Sequence, residues 1–252
     1  MCINPMKAIS PDFFVGKVLL TIKGIFDILL MIVRKPSSQS LKFASMILKV
    51  KPRYTMVRNE NLISLYNLVR KANSLNLSGD IVECGVWNGG SAAIMAVACM
   101  EDKNCSGKRN VWLFDSFQGL PLPGDRDGII ERKHYFEGWI RGDLGKVKRV
   151  FRELGIPLEN VRIIPGWFEV TLRAAPINTI AVLHIDADWY NSVKEVLQIF
   201  YDRVVPGGFI ILDDYGYWQG CQRALEDYFR EHGIENIVIK QVGLAGAYFQ
   251  KP

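Results

Sequence analysis

The chain of 252 residues contains no G-x-G-x-x-G, no C-x-x-C, no internal repeat and no uninterrupted apolar run of about 18 residues. Each absence removes a class of protein. Without the glycine fingerprint, a dinucleotide pyrophosphate has no ordinary turn to sit on, which argues against a Rossmann oxidoreductase. The five cysteines, at positions 2, 84, 99, 105 and 221, are odd in number and lack metal spacing. They read as reduced thiols of a cytoplasmic protein, with neither a disulfide framework nor a zinc site. The net charge is +5, yet Lys and Arg are scattered among acids with no basic run interleaved with aromatics, so no nucleic-acid partner is expected.

A near-absence is as useful. Residues 13–33 are apolar, but Lys17, Lys23 and Asp27 interrupt them, which excludes a simple transmembrane span. At helical spacing these charges and Arg34 share one arc with Gly16 and Gly24, and Val15, Val18, Ile22, Ile25, Phe26 and Leu29 share the other. An amphipathic helix is expected. It packs on the rest of the chain or on a second copy in a homo-oligomer, with a membrane-surface helix as the other reading. The interrupted apolar core, followed by Arg34 and Lys35, does not suit a cleaved signal peptide. The polar run Pro36-Ser-Ser-Gln-Ser40 is the one clear linker, so an arm of residues 1–40 precedes a domain of residues 41–252.

What is present is an α/β pattern. A hydrophobic content of 49% suits a buried sheet. Residues 61–75 have helical spacing, Asp80 opens a strand, and apolar runs recur at 111–114, 161–164, 180–185, 208–212, 236–241 and 246–249. Short buried strands alternating with helices imply a mostly parallel, seven-stranded sheet covered on both faces. The last two runs are too close for a crossover helix, so an antiparallel pair is expected at the edge.

The first strand ends in Glu83 and enters a turn with Gly85, Gly89 and Gly90 before the small-residue helix that starts at Ser91. An acid there repels a pyrophosphate and suits a cation. S-adenosylmethionine carries a sulfonium and an ammonium, a carboxylate for helix N–H groups, and ribose hydroxyls that need a second acid. Asp115, closing the second strand, is that acid.

A second constellation is acidic. The run at 180–185 delivers Asp186 and Asp188, and the run at 208–212 delivers Asp213 and Asp214. Ligands of an open α/β sheet bind outside the carboxyl ends of the strands, so the four acids converge. Their repulsion calls for a cation, and Mg²⁺ takes oxygen ligands while leaving positions for a hydroxyl acceptor. The plainer reading makes Asp188 and Asp214 caps of the helices that follow them. His184 competes as a base, although a strand histidine is more often a satisfied core residue. The charged loop 121–139 suits either a lid over an acceptor or a solvated surface loop.

Four motifs, Glu83-Cys-Gly-Val-Trp-Asn-Gly-Gly-Ser91, Phe114-Asp-Ser-Phe-Gln-Gly-Leu-Pro121, His184-Ile-Asp-Ala-Asp-Trp-Tyr190 and Leu212-Asp-Asp-Tyr-Gly216, resemble in this order the macrocin O-methyltransferase family. The resemblance implies a class I methyltransferase sheet and O-methylation of a sugar hydroxyl on a glycosylated small molecule. It places the cofactor on Glu83, Gly85, Val86, Gly89, Gly90, Ser91, Asp115 and Ser116. It adds Thr55 from Tyr54-Thr-Met56, and Gly166, Trp167 and Phe168 from a turn beside the adenine. It makes Asp186, Asp213 and Asp214 the metal ligands and Asp188 the general base, so Asp186 and Asp188 carry catalysis. The chain departs from the family at Phe168-Glu-Val-Thr171, where a proline and an acid more often precede the threonine, which puts adenine contacts by Glu169 in doubt. A binding protein that kept the cofactor fold is the alternative from another class, and the clustered acids argue against it.

Overall fold

The computed structural model describes residues 38–102 and 109–252. Residues 1–52 and 53–252 are two compact units. The amphipathic segment 13–33 and Cys2 and Cys105 lie outside the described residues. In the first unit, helix α1 (Ser38–Val50) starts inside the expected linker, because serine is as compatible with a helix start as with a flexible connection. The expected boundary at 40/41 therefore falls within that unit.

The second unit is built on one seven-stranded sheet in the order β3-β2-β1-β4-β5-β7-β6. Its strands are β1 (Asp80–Cys84), β2 (Val111–Asp115), β3 (Val161–Pro165), β4 (Ile180–Ile185), β5 (Val204–Leu212), β6 (Lys240–Val242) and β7 (Gly246–Gln250). Ile81, Val82, Leu113, Val182, Leu183 and Ile210 are fully buried, as continuous apolar strands under two helical layers must be. Helices α2 (Asn59–Ser74), α3 (Gly90–Met100) and α5 (Leu144–Glu153) cover one face. Helices α6 (Phe168–Ala174), α7 (Tyr190–Phe200) and α8 (Gln219–Glu231) cover the other, and the short α4 (Ile129–His134) lies in the loop after β2. Helix α3 is apolar all round and buried along almost its whole length, which suits a helix at the centre of the layer.

Strands β1 to β5 are parallel to one another. Strand β7 runs antiparallel between β5 and the edge strand β6, with Val242 opposite Gly246 across the connecting turn. The run expected as a strand over 236–241 pairs only from Lys240 onward. Asn236 takes a left-handed φ of 61°, and Ile237 and Ile239 pack against the core instead of forming a ladder. Among the described residues no helix is long and apolar enough to cross a membrane. Cys84, Cys99 and Cys221 are buried free thiols.

The register positions the site. Cys84 lies opposite Phe114 and Ile185, and Ile185 lies opposite Leu212. The residues that follow, Gly85, Asp115, Asp186 and Asp213, therefore leave the sheet along one line at its carboxyl edge.

Candidate active site

On the β1–β2 side the backbone approaches so closely that side chains are excluded. A Cβ on Gly85, whose φ is +90°, would stand 1.7 Å from the Asp186 carbonyl oxygen. The Gly90 N–H donates to the Tyr54 carbonyl at 2.8 Å, and a Cβ there would meet Thr55 and Tyr54 at 2.7 Å. Buried Thr55 is thereby brought to the start of α3. That helix begins after Gly89, in the left-handed region at φ 86°, and has no side-chain cap. With the Gly90 and Ala93 N–H groups engaged by the Tyr54 and Gly89 carbonyls, those of Ser91 and Ala92 are left for an anion.

Asp115 closes this half. Its Oδ2 accepts the N–H groups of Val86 and Trp87, each at 2.8 Å, and its Oδ1 accepts that of Phe117 at 2.6 Å. The carboxylate thus holds the β1–α3 loop and still has lone pairs for hydroxyl donors. Ser116 points back into its own turn, donating to the Gly119 carbonyl at 3.0 Å and accepting from the Gln118 N–H. Gly166, at φ +139°, is tied by its N–H to the Asp115 carbonyl, and Phe168 packs on the core. Glu169 is exposed.

Glu83 is placed differently from its expected position against a cationic ligand. It is fully buried, and its Oε1 stands 2.8 Å from His184 Nδ1 while Oε2 has no partner. His184 Nε2 lies 3.8 Å from Asp213 Oδ1, an ion-pair distance too long for a hydrogen bond. Burial opposes protonation of this imidazole, but Asp213 and Glu83 on either side overcome it and raise its pKa to about 9. His184 is fully buried between two carboxylates, the setting of a core histidine held in a polar network. Asp213 Oδ1 also accepts from Asn61 Nδ2 at 2.7 Å. Asn61, Asp213, His184 and Glu83 form a buried polar chain behind the cleft, across α2, β5, β4 and β1.

In front of that chain stand the other acids. Asp186, Asp188 and Asp214 each offer a carboxylate oxygen within 4.8 Å of the others. Asp188 takes the place beside Asp186 and Asp214 that the resemblance gave to Asp213, because Asn61 and His184 engage Asp213 from behind. Burial first, and then the neighbouring acids, pushes Asp186 and Asp214 well above the ordinary carboxylate range. Burial raises Asp188 to about 7, with Trp218 opposing and Asp213 adding to the rise. All three keep some contact with solvent, but protein surrounds them on most sides. Asp214 Oδ2 is buried and has no hydrogen-bond partner. Hard oxygen donors, mutual repulsion and an orphaned oxygen are what a divalent cation satisfies.

Neither following helix is capped by these acids. Helices α7 and α8 follow Trp189 and Trp218 and receive no cap from either residue's side chain, and the Asp188 carboxylate instead accepts from Trp218 Nε1 at 2.8 Å. The Tyr190 N–H at the start of α7 is taken at 2.7 Å by Asp127 from the 121–139 loop. Asp127 also accepts the Gly124 N–H, and Trp189 Nε1 donates to the Pro121 carbonyl at 2.9 Å, so this loop is pinned to the residues that follow Asp188.

Beside the acids stand aromatic rings. Trp218 lies 5.5 Å from Trp189, 6.4 Å from Trp139 and 4.5 Å from Tyr217, and Trp139 lies 5.9 Å from Phe136. Tyr217 and Phe136 are about 60% exposed. Sequence reasoning passed over Trp218 and met Asp127 and Trp139 only as part of the charged loop 121–139. The only local signal was that Trp189 follows one acid directly and Trp218 lies four residues beyond another.

The sheet order and the single antiparallel β7 define a class I, S-adenosylmethionine-dependent methyltransferase. The model of the macrocin O-methyltransferase (TylF) family matches residues 47–251. The 8-demethyl-8-(2,3-dimethoxy-alpha-L-rhamnosyl)-tetracenomycin-C 4'-O-methyltransferase of Streptomyces olivaceus is 35% identical over 188 residues, 73% of this chain and 71% of its own length. The demethyldecarbamoylnovobiocin O-methyltransferase of Streptomyces niveus is 35% identical over 202 residues, 79% of this chain and 76% of its own. The structure of the O-methyltransferase NovP superposes with a TM-score of 0.71 at 34% identity, covering 79% of this chain and 82% of that one. The chain belongs to the macrocin O-methyltransferase family and is an O-methyltransferase.

Proposed function

We propose that the protein methylates a hydroxyl on the sugar of a glycosylated small molecule, with Mg²⁺ beside the reacting oxygen. The observation that carries this reading is the approach of Asp186, Asp188 and Asp214 within 4.8 Å, with Asp214 Oδ2 buried and unpaired. Relatives named for sugar and glycoside substrates support the acceptor class. Asp186 and Asp214 would hold the cation, and Asp188, bordering it, would accept the hydroxyl proton. When bound, the cofactor supplies an electrophilic methyl group and the cation lowers the proton affinity of an oxygen beside it.

The remaining work falls to the chain. The β1–α3 loop, Asp115 and the uncapped start of α3 would hold the donor, with Thr55 and the Gly166–Phe168 turn beside it. Glu83 acts from behind, through His184. The rings of Trp218, Trp139, Tyr217 and Phe136 would take the apolar faces of the acceptor and keep water from the acids. A panel of methylumbelliferyl glycosides with S-adenosylmethionine tests the reading. Transfer should stop with EDTA and return with Mg²⁺, and product should carry the methyl group on a sugar oxygen. Transfer indifferent to chelator, or transfer to free methylumbelliferone but to none of its glycosides, would sink it.

A further inference from the structure

We propose that Trp218 is a positioning residue: its indole N–H sets the direction of the Asp188 carboxylate. This rests on the reading that Asp188 takes the acceptor's proton.

The backbone alone does not aim that carboxylate. Asp188 lies between the end of β4 and the start of α7, at a left-handed φ of 53°. The turn around it is closed by the Trp189 N–H on the Ala187 carbonyl at 2.6 Å, a three-residue turn whose positive-φ form is rare and strained. The side chain belongs to no ladder and caps no helix. No hydrogen bond ties it to Asp186 or Asp214, so with free torsions the carboxylate would swing between orientations beside them.

The Trp218 bond opposes that swing. Nε1 donates to Oδ1 at 2.8 Å, leaving the second oxygen available for a proton. The donor is itself fixed. Trp189, Trp139 and Tyr217 surround the indole, and the backbone N–H groups of Tyr217 and Trp218 both reach the Asp214 carbonyl at 3.0 Å. The loop that carries Asp214 therefore also carries the group that orients Asp188, and the two acids are set from one segment. An indole suits this place because it offers one donor, no acceptor and a flat body for the aromatic cluster.

Trp218→Phe keeps a ring in the cluster and removes the N–H. Turnover with a methylumbelliferyl glycoside should fall by about tenfold to a hundredfold, the range of one hydrogen bond to a charged group. The Kd for S-adenosylhomocysteine should stay within about twofold, and the KM for the glycoside should change far less than turnover, since Phe keeps a ring against the acceptor. Unchanged turnover would overturn the proposal, and so would a loss matched by weaker binding of both ligands, which marks a packing role. Should Trp218→Phe fail to fold, the indole N–H resonance decides. In the full-length protein labelled with ¹⁵N-tryptophan, carboxylates should hold two indole N–H signals downfield, that of Trp112 through Asp80 and that of Trp218 through Asp188, and the second alone should move in Asp188→Asn, a substitution that tolerates the left-handed backbone. Six unmoved indole signals would overturn the proposal. Normal turnover by Asp188→Asn would instead overturn the base assignment on which the proposal rests, whereas an inactive Asp188→Asn beside a fully active Trp218→Phe would overturn the positioning alone.

Discussion

Asp115 and the trio Asp186, Asp188 and Asp214 leave the same edge of one sheet, yet the fold treats them oppositely. Asp115 accepts three backbone N–H bonds and holds the loop that shapes the cofactor side. The trio has one firm donor among three carboxylates, the Trp218 indole, and an oxygen with none. The first arrangement is complete before any ligand arrives and needs only neutral hydroxyls. The second is left short of positive charge, and under the proposed function a cation would finish it. One strand edge thus offers a pre-formed half and a half that a cation would complete.

Each half can be tested against the other. The largest effect should come from Gly85→Ala, where the added carbon would stand 1.7 Å from the Asp186 carbonyl oxygen and so disturbs both halves together. Loss of about 4 kcal/mol or more, or no soluble protein, is expected from denaturant unfolding, and a stable, active variant would show that the strand ends are not locked together. Asp186→Asn should cut turnover roughly 10²- to 10⁴-fold while calorimetry finds unaltered S-adenosylhomocysteine binding. A parallel fall in binding would erase the distinction between the halves. Asp115→Ala should do the reverse, weakening that binding by about 10- to 100-fold with a smaller change in turnover at saturating donor.

The smallest effect concerns pH. A carboxyl whose pKa is raised on folding contributes stability below its ordinary value and loses it as pH rises through the folded value, about 7 for Asp188. Metal-free protein should therefore melt at a lower temperature at pH 8 than at pH 6. Added Mg²⁺ should raise the melting temperature more at pH 8, where Asp188 has lost its proton. Equal rises at both pH values would mean that the trio carries no strain for a cation to relieve.

The pre-formed half was the more legible in the sequence. Continuous apolar runs marked β1 to β5, and the glycines at 85, 89 and 90 announced a close backbone approach. The acids were legible as a group, because each follows an apolar run. Their separate tasks were not, since Asp213 and Asp214 are neighbours in sequence just beyond β5, and what sets Asp213 apart is its contact with the distant Asn61 and His184. The neighbour of Glu83 was hidden for a related reason: nothing within β1 reveals that His184 stands directly across on β4. The aromatic wall and Asp127 rest on contacts between distant segments, and a tryptophan near an acid is too ordinary to betray such contacts.

The chain Asn61–Asp213–His184–Glu83 has a consequence for how this protein can vary. Its four members come from four separate elements, and every one is at least nine-tenths buried. Removing one leaves its neighbour's charge or hydrogen bond stranded away from water, so a single replacement meets a penalty that two or three concerted ones avoid. Among relatives these positions should therefore change as a block or not at all, whereas the exposed rings of Tyr217 and Phe136 are free to drift one at a time as acceptors diverge.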